Sequence, residues 1–206
     1  VRTRVLVAAA LVCAAVAGGW GLSRYAGAAP FELPVGPTEW DVSERSWLSN
    51  GVLHVGDRRV TIGEDPAAHV VGPSGAYWID GQVLWFTSAE GGTEEVSDLQ
   101  WSSMVISPDR STLALLDGSR GPTDEYGTHA LQVVVFDTRT GEQLYRTPDT
   151  EPGDWDLADL YEETVPSLDR VSTEHVGIDG VTIDIASGTV TVDDPGSLGE
   201  MLFGDR

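Results

Sequence analysis

The chain has 206 residues, with 33 acidic residues against 12 arginines and no lysine, for a formal net charge of −21. So acidic a chain lacks the basic footprint that phosphate backbones require, which excludes nucleic acid as a partner. Four histidines and one cysteine are too few for a zinc scaffold or a disulfide framework, while 41% hydrophobic residues are enough to build a core and exclude wholesale disorder.

In chain order, Arg2 and Arg4 precede an uncharged run from Val5 to Leu22, and Arg24 with Ala26-Gly27-Ala28-Ala29 follows it. A charged start, an apolar stretch and small residues form the pattern of a secretory signal, and the run is also near the lower limit for a spanning helix. Residues 1–29 are therefore expected to be a signal peptide or a transmembrane anchor helix. The positive flank would stay in the cytoplasm, with the rest of the chain outside it, membrane-anchored or secreted. Cys13 follows Val12 rather than a small residue, so it reads as a small hydrophobe in the apolar run and not as a lipid attachment point. The exported part then has no cysteine, and its stability must come from its core. Residues 30–45, with Pro30, Pro34 and Pro37 and little periodicity, read as a linker.

From residue 46 onward the pattern is that of short strands. Val52–Val55, a Gly56-Asp57 turn and Arg58–Ile62 form a predicted hairpin. Ala76–Ile79 and Gln82–Thr87 flank Asp80-Gly81, a dipeptide favoured in tight hairpin turns because glycine and aspartate tolerate positive φ. Ser103–Ile106, the turn Ser107–Arg110, Leu113–Leu116, Leu131–Asp137, the turn Thr138–Gly141 and Glu142–Arg146 make a set of four strands, with Asp117-Gly118 opening a long loop. Glu174–Ile178, Asp179-Gly180, Val181–Ile185 and Thr189–Val192 make the last set. Between these two sets Trp155, Leu157, Leu160 and Tyr161 recur at helical spacing, predicting one short helix over Asp156–Glu163.

The residues that could carry chemistry are scattered. Asp154 and Asp156, with Asp149, Glu151 and Asp159 nearby, are the calcium candidates, since calcium takes six to eight oxygen ligands. No D-x-D-x-D-G register is present, however, and a solvated acidic loop is the plainer reading. Asp117 and the Asp124-Glu125 pair are weaker candidates still. His54, His69, His129 and His175 lie far apart and show no metal-ligand spacing. Gly72-Pro73-Ser74-Gly75 does not fit a G-x-S-x-G nucleophile elbow. No catalytic residue, cofactor site or metal site is assigned. Of the seven tryptophans, Trp78 and Trp85 flank the Asp80-Gly81 hairpin, which favours packing across the strands over a ligand platform.

Ser107-Pro108-Asp109-Arg110-Ser111-Thr112-Leu113-Ala114 resembles the S-P-D-G-x-x-L-A turn of WD-repeat and TolB-like β-propellers. Val133–Glu142 resembles the V-x-D-x-x-T-G-E end of the same repeat, and Asp184–Gly188 is a weaker copy. Arg110 stands where the motif has glycine, and no Gly-His or Trp-Asp signature is present. The chain is similar to exported, propeller-like proteins of actinobacteria, a resemblance that implies no reaction. It implies an all-β fold of antiparallel four-stranded blades over residues 46–206, as an incomplete or small propeller, with a plain β-sandwich as the structural alternative. The function expected is a non-catalytic binding or scaffolding module outside the membrane. Its partner would be a protein or small ligand, and self-association would be one way to close the ring. The alternative is an exported hydrolase or lyase whose site assembles only in three dimensions.

Overall fold

Strands with apolar side chains on both faces need cover on both sides, and the central strands here are of that kind. The computed structural model describes residues 31–43, 45–100, 103–149, 156–164 and 166–204. The expected helix over Val5–Leu22 lies outside them, as do Trp101, Asp154 and Trp155. Four antiparallel sheets follow one another along the chain, each with its strands in sequence order. The first has three strands, β1 (Ser46–Ser49), β2 (Val52–Val55) and β3 (Arg58–Thr61). The second has β4 (Ala68–Gly72), β5 (Gly75–Asp80), β6 (Val83–Ser88) and β7 (Thr93–Asp98). The third has β8 (Met104–Ile106), β9 (Thr112–Asp117), β10 (Gln132–Asp137) and β11 (Gln143–Arg146). Helix α1 (Leu157–Glu163) leads to the fourth sheet, β12 (Leu168–Val171), β13 (His175–Ile178), β14 (Val181–Asp184) and β15 (Val190–Val192), and helix α2 (Leu198–Phe203) follows. Among the described residues no helix is long and apolar enough to cross a membrane.

The sheets are stacked by the period-2 alternation of their side chains. In β5, Ala76 and Trp78 face the first sheet and join Leu53, Val55 and Val60 in one apolar cluster. Tyr77 and Ile79 point the other way, to Leu113, Leu115, Val134 and Phe136 of the third sheet. The alternate residues Ala114, Leu116, Val133 and Val135 face the fourth sheet, against Val176, Ile178, Val181 and Ile183. The first strands of the three four-stranded sheets lie close together, β8 between β4 and β12.

One junction repeats in all four sheets. Asn50-Gly51, Asp80-Gly81, Asp117-Gly118 and Asp179-Gly180 each end a strand whose successor continues the antiparallel ladder. Asn50-Gly51 and Asp179-Gly180 are two-residue turns with both φ values positive, as a type I′ hairpin requires. At the second junction Asp80 still pairs with Val83, so the turn residues are Gly81 and Gln82 and only the glycine has positive φ. At the third, Asp117 pairs with Gln132 across the expected long loop, which spans residues 118–131.

Four strands escaped the sequence pattern, β1, β4, β7 and β12, and each has a local reason. Strand β7, Thr-Glu-Glu-Val-Ser-Asp, is an outer edge whose exposed Glu94 and Glu95 remove the apolar alternation and discourage edge-to-edge pairing. Strand β4 is hemmed between Pro66 and Pro73, and β12 carries adjacent Asp169 and Arg170 at a register shift. Strand β1 has only Trp47 and Leu48 to mark it. The predicted α1 is present, capped by the Asp156 carboxylate, which accepts from the N–H groups of Ala158 and Asp159. Helix α2, which the sequence reading did not include, is capped by Ser197, whose hydroxyl accepts from the Glu200 N–H.

Residues 31–43, read above as a connecting segment, are strapped along one end of the stack. Leu33 donates its N–H to Gly141 O (2.9 Å), Tyr77 Oη donates to Pro34 O (2.9 Å), and Gly36 N–H donates to Ser74 Oγ (3.0 Å). Trp40 closes the strap, its backbone N–H to Pro73 O and its Nε1 to Gly72 O at 2.6 Å. Leu33 and Trp40 are buried in the second and first of these clusters. At Gly141, with φ +78, an added Cβ would collide with the Leu33 carbonyl, so the Thr-Gly turn is open because the strap passes over it.

Two measurements follow. Leu33→Ala is expected to lower the unfolding free energy by about 3 kcal/mol in urea titration, the usual cost of truncating a buried leucine; a connecting segment would lose almost nothing. Arg110 occupies the left-handed region, φ +63, a conformation that penalises any side chain with a Cβ, so Arg110→Gly is expected to raise stability by about 1 kcal/mol.

Candidate functional site

Of the acidic residues named from the sequence, Glu151 and Asp154 lie outside the described residues, and Asp124 and Asp156 accept from backbone N–H groups. Asp156 caps α1, and Asp159 lies in its first turn. Asp149 accepts from Gln132 Nε2 (2.9 Å). Asp124 holds the long loop, accepting from the N–H groups of Tyr126 (3.0 Å), Thr128 (2.8 Å) and Leu157 (3.0 Å), which ties the loop to α1. Desolvation raises this carboxyl, but the N–H groups of Leu157, Thr128, Tyr126 and Gly127 outweigh it and hold it below the usual carboxylate range. Among the described residues no group of three or more His, Cys, Asp or Glu is placed to hold a metal ion.

Asp117 is the residue whose place the sequence least foretold. It is fully buried at the end of β9. Its Oδ2 accepts from Arg146 (2.9 Å) and Arg120 (3.0 Å), and its Oδ1 accepts from the Ser119 backbone N–H (2.9 Å) and hydroxyl (2.7 Å). Arg146, itself buried, donates onward to Gln132 Oε1 (2.6 Å), and Arg120 reaches Ser97 Oγ of β7 and lies over the Phe31 ring. The network joins the second and third sheets at the strand ends away from the Gly141 turn, and it meets the first residue of the strap at Phe31. Burial pushes the Asp117 carboxyl up, but the Ser119 donors and the two guanidinium groups outweigh it, so its pKa is lowered.

Among the described residues three surfaces could meet a ligand. A cleft of about 250 Å³ lies between the long loop and α1, lined by Gln100, His129, Leu131 and Tyr161 among others. In it His129 Nδ1 sits 2.5 Å from Gly121 O, and Tyr161 Oη accepts from the Leu131 N–H. The outward face of the fourth sheet is a shallow polar field in which Arg170 pairs with Asp193 (3.3 Å) and His175 lies 3.8 Å from Asp184.

The third surface is the outward face of the first sheet. Trp47, His54 and Arg59 are cross-strand partners in register on β1, β2 and β3. The Trp47 and His54 rings are stacked, with centroids 4.7 Å apart and planes at 6°, and Trp47 is 50% exposed. By strand alternation Arg45 shares this face. Three of the eight arginines among the described residues, Arg45, Arg58 and Arg59, are gathered at this sheet. Among the described residues neither Arg45 nor Arg59 makes an ion pair, whereas Arg58 is attracted to Glu90. An exposed aromatic pair beside unpaired guanidinium groups is a surface for stacking and for anions.

Among the described residues the other aromatic and histidine candidates pack internally or sit singly. Trp78 and Trp85 are cross-strand partners with rings 5.6 Å apart, and Trp78 Nε1 donates to Thr87 Oγ1. His69 lies in β4, where burial lowers its pKa. The Ser74 hydroxyl is committed to the strap through Gly36. Compared with known proteins, the chain matches no family model, and no curated protein is significantly similar to it.

The Asp117 network makes a prediction about acid. A lowered native pKa means that its contribution is present above the unfolded value, about 3.9 for aspartate, and is lost as pH falls through the native one. The wild-type chain is therefore expected to lose stability steeply below about pH 4. Asp117→Asn is expected to cost about 3–5 kcal/mol near neutrality, because Arg146 is left buried without its carboxylate. The variant should also show a shallower acid limb in urea titrations at successive pH values.

Proposed function

We propose that this chain is an exported, non-catalytic binding or scaffolding module of propeller-like build that acts outside the membrane. The build is supported by the succession of four-stranded meanders stacked face to face, with β4, β8 and β12 side by side. It is further supported by the Ser107–Arg110 and Thr138–Gly141 turns, which occupy the hairpin positions that the resemblance assigns them. Export rests on the apolar run and its basic flank in residues 1–29.

The observation that carries the binding reading is the Trp47–His54–Arg59 row. An outward sheet face in so acidic a protein has no folding need for a half-exposed tryptophan stacked on a histidine beside arginines that make no ion pair among the described residues. Exposed aromatic and arginine side chains are the types that dominate binding hot spots.

The test has two arms. Protease added to intact producing cells is expected to digest a C-terminally tagged full chain; protection until lysis would remove the export reading. Immobilised full chain is expected to retain an envelope component, with retention reduced at least tenfold by Trp47→Ala combined with Arg59→Ala. Turnover in a hydrolase and lyase substrate panel, abolished by substitution of His129 in the cleft, would replace the module reading with an enzyme.

A further inference from the structure

We propose that the edge of β1, unpaired among the described residues, takes up an extended peptide as a fourth strand, and that this peptide alternates acidic and apolar residues. The inference rests on the binding-module reading and names the partner class for that same face.

The first support is positional. In the three four-stranded sheets the Asp-Gly junction follows the second strand, after β5, β9 and β13. In the first sheet Asn50-Gly51 follows β1, which makes β1, β2 and β3 the counterparts of second, third and fourth strands. The position held elsewhere by β4, β8 and β12 is unfilled among the described residues.

The second support is the backbone of β1. Arg45 O accepts from the Gly56 N–H, and Ser49 and Val52 flank a two-residue turn. Antiparallel alternation then directs the backbone of Arg45, Trp47 and Ser49 toward β2, and the N–H and C=O groups of Ser46 and Leu48 toward the open edge. Such groups are the template on which β-strand addition works.

The third support is chemical. A strand laid along this edge shows one side to Trp47 and Arg45 and the other to Leu48 and the apolar cluster around Trp40. Carboxylates on the first side meet the Arg45 guanidinium, which makes no ion pair among the described residues, and apolar residues on the second extend the cluster, so the pocket pattern reads acidic-apolar with period 2.

The probe is a fluorescein-labelled peptide of six alternating Glu and Val residues, titrated with the full chain by fluorescence anisotropy. It is expected to bind at least tenfold more tightly than a Lys-Val peptide of the same length. N-methylation of alternate backbone nitrogens should weaken it at least tenfold, since that removes strand pairing and leaves charge intact. Ser46→Pro deletes an N–H that points only to the open edge, where proline is tolerated; it should weaken binding at least tenfold at an unchanged melting temperature. If that variant fails to fold, the N-methylated peptide alone reads the backbone pairing.

Equal binding of the Glu and Lys peptides, indifference to N-methylation, or no binding would overturn the proposal. So would a concentration-dependent dimer in sedimentation velocity that Ser46→Pro makes monomeric, because a second copy would then hold the slot. Failure of the peptide with the Trp47 and Arg59 face still retaining its envelope component removes this inference and leaves the module reading standing.

Discussion

Everything in this molecule depends on strands that are apolar on both faces. Strands β5, β9 and β10 are buried nearly end to end, and each sends alternate side chains to two different clusters. A sheet built on such a strand leaves apolar surface exposed unless it has neighbours on both sides, so one sheet calls for the next. At about 25 cal/mol per Å² of apolar surface removed from water, these faces supply the main driving force for stacking. The stack terminates where the alternation changes: Thr182, Asp184 and His175 turn one polar face outward at the fourth sheet, and His54 and Arg59 turn another outward at the first.

Polar interactions then fix how the sheets are joined. The strap of residues 31–43 crosses one end through backbone hydrogen bonds to Gly141 and Pro73 and through the Trp40 indole N–H to Gly72 O. The Asp117–Arg146–Arg120 network lies at the strand ends away from the Gly141 turn and reaches Ser97. Among the described residues every buried side-chain nitrogen or oxygen has a hydrogen-bond partner. Among the described residues charge in the interior is therefore matched locally, and exposed carboxylates lie on loops, at helix caps and on strands, β7 among them. Against that background the cationic, aromatic face of the first sheet stands apart, and the binding reading takes it as its centre.

The repeat was only partly legible in the chain. The third set, from Met104 to Arg146, was read as four strands because its turns carry Ser107-Pro108-Asp109 and Thr138–Gly141 and its strands are unbroken apolar runs. Strands β1, β4, β7 and β12 were not read, because position rather than composition makes them strands. Strand β7 is held by β6 despite Glu94 and Glu95, and β4 by β5 despite its flanking prolines. The strap was hidden for a similar reason: proline and glycine set its extended course, while the burial of Leu33 and Trp40 depends on surfaces that distant residues build.

By itself the sequence determined the all-β class, the short helix after Asp156, most hairpins and the acidic character, because alternation, turn residues and charge are local properties. It carried the tryptophan pair at 78 and 85 as far as packing across a hairpin, since a two-residue turn sets the register. What only the tertiary structure decided was which residues of different sets meet. Asp117 read as a turn residue and is a buried ion-pair centre, because Arg120 and Arg146 reach it across the long loop and from β11. Trp47, His54 and Arg59 read as three unrelated residues and form one surface, because the register of three short strands places them in a row. A side chain's neighbours within one turn follow from backbone chemistry, whereas its neighbours across a sheet follow from pairings whose register is set by burial of the whole face.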